Sequence, residues 1–518
     1  MRHKLPLLIL LYCNCTFSQP RNILISNTHS PQEPSIAINP GNTRQLVAGA
    51  NLNNFYYSSD GGNSWKTGTL KSKLGVWGDP VLIVDTAGIF YFFHLSDCSE
   101  GNWIDRIICQ KSTDGGATWS DGTWIGLNGN KAQDKPWATV DRKTNIIYVT
   151  WTQFDKYKST DPLDSSIIRF SKSTDGAETW SEPIRICKTA GDCIDSDMTV
   201  EGAVPAVGPG GEIYAAWIGP DGLVFNKSSD QGKTWLEREV PVTDIPGGWD
   251  FSIPGINRCN GLPVICCDTS QGPYRGMIYI NWSDQRNGPE DTDIWLTKSA
   301  DGGTTWSIPI RVNDDLSGRH QFFSWMTIDQ ANGLLYFVFY DRRNYTDRNT
   351  DVFMAVSEDA GETFINFRIS ESPFIPDNSV FFGDYINIAA YDNVIRPVWA
   401  VLHRTALSIM TAMININLCG IFLDHTSCSS NNPMGYHLPC SGSGICYSLQ
   451  YDNYVTIRLS DIYGNNILSI NDNCIRKAGY HILCFNNIQY NLPAGYYVYT
   501  VITQENIFTG KMTINESP

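Results

Sequence analysis

Short runs of apolar residues, many alternating with polar ones and closed by turn signals, recur along most of the chain. Ser35-Ile-Ala-Ile38, Gln45 to Ala50, Phe55-Tyr-Tyr57 and Lys66 to Leu70 predict four strands, with turns at Pro40-Gly41 and Asp60-Gly61. The same frame returns at Pro80 to Asp85 with Ile89 to His94, and at Trp137 to Asp141 with Ile146 to Trp151. It recurs at Pro205 with Ile213 to Trp217, at Pro263 with Met277 to Trp282, and at Trp325 to Asp329 with Leu334 to Tyr340. These predict six four-stranded units. A seventh, Tyr385 to Ala390, Ile395 to Val401 and Leu407 to Ile414, has three strands. Its fourth is expected from Arg21-Asn-Ile-Leu-Ile25, which would close a ring and leave no sheet edge open. The ring then takes about 54 residues per unit over positions 34–414, a period that suits propeller blades.

One short pattern punctuates this frame. Ser58 to Trp65, Ser112 to Trp119, Ser173 to Trp180, Ser228 to Trp235, Ser299 to Trp306 and Ser357 to Phe364 follow the form S-x-D-x-G-x-T-W, with Ala177 replacing the glycine in the third. The Asp accepts hydrogen bonds from its own turn, the Gly supplies a positive φ, and the aromatic packs as a plug, so the pattern reads as a folding device. It resembles the Asp box of the sialidase-like β-propellers. The resemblance implies an all-β propeller, here of seven blades against the six of sialidases, and a glycosidase activity.

The chain has 518 residues, 38 Lys plus Arg against 53 Asp plus Glu, and a formal charge of −15, which argues against a nucleic-acid partner. Arg2, His3 and Lys4 followed by the apolar run Leu5 to Tyr12, too short for a membrane span, predict a signal peptide over 1–18. No later run is long enough for a transmembrane segment. Two of the 15 cysteines fall in the signal, leaving an odd number for an oxidising compartment. Cys187 with Cys193 and Cys474 with Cys484 are spaced to staple hairpins, and no paired CxxC suggests zinc.

The frame ends near residue 415. A Cys/Ser/Asn/Gly linker over 416–449 precedes a strand-rich segment, 450–518, with Val455 to Leu459, Leu492-Pro-Ala-Gly495-Tyr-Tyr-Val-Tyr499 and Gly510-Lys511. This segment is similar to the C-terminal sorting domain of type IX secretion cargo. The likeness implies a small β-sandwich, the type IX machinery as a partner, and delivery to the cell surface or medium.

Candidate chemistry lies on the face opposite the boxes, where the chain leads into each blade. The lead-in segments read Gln32-Glu33-Pro34, Gly78-Asp79-Pro80, Gln133-Asp134-Lys135-Pro136, Thr199 to Pro205, Arg319-His320-Gln321 and Phe382-Gly383-Asp384-Tyr385. Loops Trp282 to Arg286 and Tyr340 to Tyr345 add arginines. Glycan chemistry needs a protonated acid, a base or nucleophile, and Arg forks for an anionic sugar. Asp79, Glu201 and Tyr385 are the catalytic candidates. Arg286, Arg342 and Arg343 are the substrate-binding candidates, with Arg286 and Arg342 matched across neighbouring blades. No metal or other cofactor is required. The competing reading makes the acids caps of local backbone and the Asp-x-Arg pairs structural. Sialidases also carry an early F-R-I-P motif; the nearest strings, Glu182-Pro-Ile-Arg185 and Pro309-Ile-Arg311, follow boxes on another strand. Two functions follow: a secreted glycoside hydrolase acting on extracellular glycans, or a non-catalytic surface propeller that binds glycans or proteins, with a glycan or glycoprotein as the expected ligand.

Overall fold

The computed structural model describes residues 20–97, 103–414 and six strands between 443 and 514. The expected signal peptide, most of the linker and the Leu492-Pro-Ala part of the C-terminal landmark lie outside the described residues.

Residues 20–414 form an all-β propeller of seven four-stranded antiparallel sheets. From the axis outward, the first blade runs Ser35–Ile38, Leu46–Ala50, Asn54–Ser58 and Lys66–Thr69. The innermost strands of the next five are Val81–Val84, Ala132–Val140, Glu201–Val207, Val264–Cys267 and Gln321–Ile328. Blade seven is Asn387–Tyr391, Val394–His403 and Ala406–Met413, completed on its outer edge by Arg21–Ser26, which pairs antiparallel with Ala406–Met413. Each innermost strand touches its two neighbours, and Ser35–Ile38 touches both Val81–Val84 and Asn387–Tyr391, so the ring closes. The N-terminal strand thus covers an edge that would otherwise offer unpaired N–H and C=O groups.

The six boxes are turns between the third and fourth strands and share one hydrogen-bond scheme. In the first, Asp60 Oδ1 accepts from the Ser58 hydroxyl at 2.8 Å and the Ser64 N–H at 3.0 Å, while the Gly62 N–H donates to Ser58 Oγ at 2.9 Å. Asp114, Asp175, Asp230, Asp301 and Asp359 repeat it. Ala177 adopts φ +63°, the left-handed conformation that Gly62, Gly116, Gly232, Gly303 and Gly361 hold elsewhere. The box aromatics wedge between blades: Trp119 packs on Phe55 and Phe92, Trp180 on Phe93, Trp235 on Phe170 and Trp306 on Phe225, at ring separations of 5.1–6.0 Å. Edge-to-face pairs of this kind add to the burial that joins neighbouring sheets.

The expected staple Cys187–Cys193 does not form. Both are buried free thiols, as are Cys109, Cys259 and Cys267. Cys187 lies in the apolar layer between blades three and four and accepts the Ile168 N–H at 3.2 Å, so its partner is backbone rather than the neighbouring cysteine.

The C-terminal unit is described through Asn453–Asp461, Asn466–Arg476, Gly495–Ile502 and Ile507–Ile514 in one four-stranded sheet and Ser443–Leu449 with Gly479–Phe485 in a second. No described helix is long and apolar enough to cross a membrane.

Candidate active site at the mouth of the ring

One backbone device builds the mouth. Glu33, Asp79 and Lys135 each stand two residues ahead of the inward run of blades one, two and three, each is followed by proline, and each has positive φ: +54°, +50° and +47°. Blades four and six use the same position with Gly202 and Phe323, where the pairing register slips between Glu201 and Val204 and between Phe322 and Trp325. The bulge turns the lead-in side chain toward the axis. A non-glycine residue held there costs about 1–3 kcal/mol, which persists only where the surroundings fix it.

What fixes it is a buried charge cluster. Lys135 Nζ sits 2.8 Å from Asp384 Oδ2 and 3.9 Å from Asp79 Oδ2. Arg258, from a short hairpin (Asp250–Phe251 and Cys259–Asn260) inserted ahead of blade five, donates from Nε to Asp384 Oδ1 at 2.9 Å and from Nη1 to Asp195 Oδ2 at 2.8 Å. The Tyr157 hydroxyl donates to the same Asp195 oxygen at 2.7 Å. Glu33 accepts the Asp384 N–H at 3.0 Å and the Asn51 side-chain amide. Glu201 is buried, and neither of its carboxyl oxygens has a hydrogen-bond partner; the Tyr385 hydroxyl has none either.

These surroundings split the acids into two states. Burial alone would raise Asp384, but Lys135 and Arg258 overcome it and hold the carboxylate well below its ordinary range. Burial pushes Glu201 well above the ordinary carboxyl value, with the Asp195 charge adding to it. Glu33 is raised likewise by burial and by Asp79 and Asp384. Asp134 rises to about 7 through burial, with Lys135 opposing and Asp79 reinforcing. The Tyr385 phenol is pushed up by burial and by the Asp79 and Glu33 charges. Carboxyls that hold a proton more tightly than usual thus stand beside one that releases it more readily, the arrangement that lets one site both give and take protons.

Below the cluster, Trp137, Trp325 and Tyr385 meet across the axis, with rings 4.3 Å apart for Trp137–Trp325 and 5.1 Å for Trp137–Tyr385. Beneath them runs the central channel, a cavity of about 490 Å³ between the inner strands. The aromatics separate the charged mouth from this channel.

Asp79, Glu201 and Tyr385 are therefore brought to one mouth, each within electrostatic reach of Lys135. The three arginines pair within their own blades. Arg286 pairs with Asp284 at 2.6 Å and lies 4.5 Å over the Trp295 ring; Arg343 pairs with Asp341 at 2.7 Å and lies 4.2 Å over Phe353. The match across blades five and six is thus Arg286 with Arg343, not with Arg342. Arg342 is buried over Phe322, donates from Nε to Thr350 Oγ1 at 3.0 Å, and is lowered to about 10 by burial. Sequence reasoning passed over Lys135, Arg258, Asp195 and Asp384. A charged residue before proline in three successive blades was a usable signal for Lys135; Arg258 lies in an insertion with no counterpart elsewhere in the repeat.

No family model matches the chain, and no curated protein matches it. Similar solved structures include the Hadza microbial sialidase Hz136, at 16% identity and a TM-score of 0.41 over 72% of this chain and 74% of that one. Another is the sialidase of Trypanosoma rangeli in complex with sialic acid, at 12%, 0.40, 86% and 84%. A third is the α-L-arabinofuranosidase Arb93A of Fusarium graminearum, with an iminosugar inhibitor, at 12%, 0.44, 77% and 98%. Likeness of this degree says nothing of activity.

Proposed function

We propose that this protein is an exported glycoside hydrolase that cleaves extracellular glycans at the mouth of the ring. The observation that supports it best is Glu201, a buried carboxyl raised well above its ordinary value with both oxygens unpartnered beside ionised groups. A neutral acid in that setting is a proton donor for a glycosidic oxygen. In the proposed step the Tyr385 oxygen attacks the anomeric carbon and passes its proton to Asp79. The bond to the leaving oxygen breaks, and that oxygen takes the proton of Glu201. Water then reverses the sequence: Glu201 takes a proton from the water, whose oxygen attacks the anomeric carbon, and the tyrosyl oxygen leaves with the proton held by Asp79. Arg258, the most exposed charge of the cluster, is the group an anionic sugar meets first, and it replaces Arg286, Arg342 and Arg343 as the clamp in this reading.

Residues 1–18 as a signal peptide and 450–518 as a sorting domain for type IX secretion belong to the same proposal and rest on sequence pattern. One observation favours the rival, a propeller that binds glycans or proteins without turnover: Lys135, Arg258 and Asp384 tie blades three and seven and the lead-in to blade five into one ion-pair network, which a purely structural lock would also do. The two part on a panel of neutral, sialylated and sulfated aryl glycosides. Release of the aryl group that falls in Asp79→Asn and Tyr385→Phe supports hydrolysis; binding without release supports the rival.

A further inference from the structure

Most large aromatics of the propeller are buried, but Trp77 and Trp103 are 37% and 44% exposed although they touch each other. Their rings meet edge to face at 5.8 Å, and Trp103 meets Tyr157 in the same way at 5.6 Å. Tyr157 is held from behind by Phe154 at 5.1 Å. The Trp77 backbone is fixed by its main-chain N–H, which donates to the Leu95 carbonyl at 2.9 Å, and by Gly78, which has φ +100° and lies so close to the Asn51 side chain that a Cβ would clash. Three rings therefore line up across blades two and three, partly open to solvent, with Trp77 two residues from Asp79 and Tyr157 within electrostatic reach of Asp134 and Lys135. The row is joined to the cluster directly, because the Tyr157 hydroxyl donates to Asp195, the partner of Arg258.

The geometry points to a sugar-binding subsite: the wall formed by Trp77, Trp103 and Tyr157 seats a pyranose ring of the glycan beside the acid cluster. This rests on the hydrolase or glycan-binder reading of the same mouth and deepens it. A pyranose has an apolar C–H face that covers an aromatic ring and a hydroxyl edge that needs hydrogen-bonding groups. The rings meet at 88° and 66°, so each offers its own face to a sugar, and the row ends on the Tyr157–Asp195 pair, whose polar atoms suit the hydroxyl edge. Lys158 Nζ lies 5.3 Å over the Tyr157 ring and adds positive charge at that end, suited to an acidic sugar. A protein partner would meet a narrow strip rather than the broad apolar patch such interfaces bury.

The test uses the full chain with Glu201→Gln to stop turnover, on an array of neutral, sialylated and sulfated oligosaccharides, followed by titration with the best binder. Trp103→Ala and Trp77→Ala are expected to weaken binding at least tenfold with the melting temperature unchanged, and Trp103→Phe to recover much of the loss. Trp124→Ala, an equally exposed tryptophan on the outer strand of the same blade, is the control and should bind as its parent does. Binding within twofold of the parent in a folded Trp77→Ala/Trp103→Ala double variant overturns the subsite, as does binding of no glycan on the array. If the alanine variants bind normally while Glu201 still governs turnover, the hydrolase stands and the wall falls. Wall-dependent binding by a chain that never turns over glycosides leaves the wall standing and removes the hydrolase.

Discussion

The two faces of the ring use repetition in opposite ways. On the box face, six turns repeat both the backbone and the side chains, and each carboxylate is satisfied by its own turn. At the mouth the backbone bulge repeats, but its side chain changes from Glu33 to Asp79 to Lys135, and Glu201 beside Gly202 is left without a partner. Identical side chains at a repeated position serve the fold; divergent ones at a repeated position are free to serve chemistry. The pH response should differ in the same sense. Thr179 holds Asp175 at about 2, a depressed value, so the stability it contributes is present above the ordinary carboxylate range and is lost as the pH falls toward 2. Asp134 is raised to about 7, so its contribution is present below the unfolded value and is lost as the pH rises through 7.

Removing residues 19–27 strips the outer strand from blade seven and should abolish the normal cooperative melt in favour of aggregation; an unchanged melt by calorimetry would count against ring closure. Lys135→Met leaves Asp384 with only Arg258 in a buried site, and breaking a buried pair costs about 3–5 kcal/mol, measurable by urea unfolding. A loss below about 1 kcal/mol, the size of an exposed surface pair, would mean that the cluster is solvated and not a site of raised carboxyls. Asp114→Ala removes the hydrogen bonds of one box and should cost about 1–2 kcal/mol with glycan preference unchanged. Ala177→Gly relieves a left-handed alanine and should stabilise by at most about 1 kcal/mol, since the glycine also gains freedom in the unfolded chain. A loss of stability there would show that the Ala177 methyl packs better than its backbone suffers.

Much of the scaffold was legible because it is written in repeats. Alternating runs gave the strands, the boxes marked the third-to-fourth turns, and the lone run at Arg21 fitted the one blade short of a strand. The inner strands of blades three, four and six start four or five residues before the expected Trp137, Pro205 and Trp325, because pairing already runs ahead of the bulge, and that of blade seven starts at Asn387, two residues after the expected Tyr385. The site was half legible. Asp79, Glu201 and Tyr385 stand in the lead-in segments that topology gathers, whereas the charged residues around them come from other blades. Sequence spacing places Lys135 near Asp79 in blade order but cannot place Asp384, 249 residues away, against it. The pairing of Arg286 with Asp284 and of Arg343 with Asp341 was not legible, because an Asp two residues before an Arg looks the same whether the guanidinium faces a ligand or its own carboxylate.

Glu201 at the mouth serves chemistry in this reading and the box carboxylates serve the fold, which is tested most directly by measuring kcat/KM and melting temperature together for Glu201→Gln and Asp114→Ala. The prediction is a crossed result. Glu201→Gln should lose about 10²–10⁴-fold in kcat/KM, the range for removal of a general acid, with its melting temperature unchanged or raised. Asp114→Ala should melt earlier and, where folded, turn over substrate at the wild-type rate. Full activity in Glu201→Gln, or an activity loss in Asp114→Ala at a temperature where it is folded, would contradict the account.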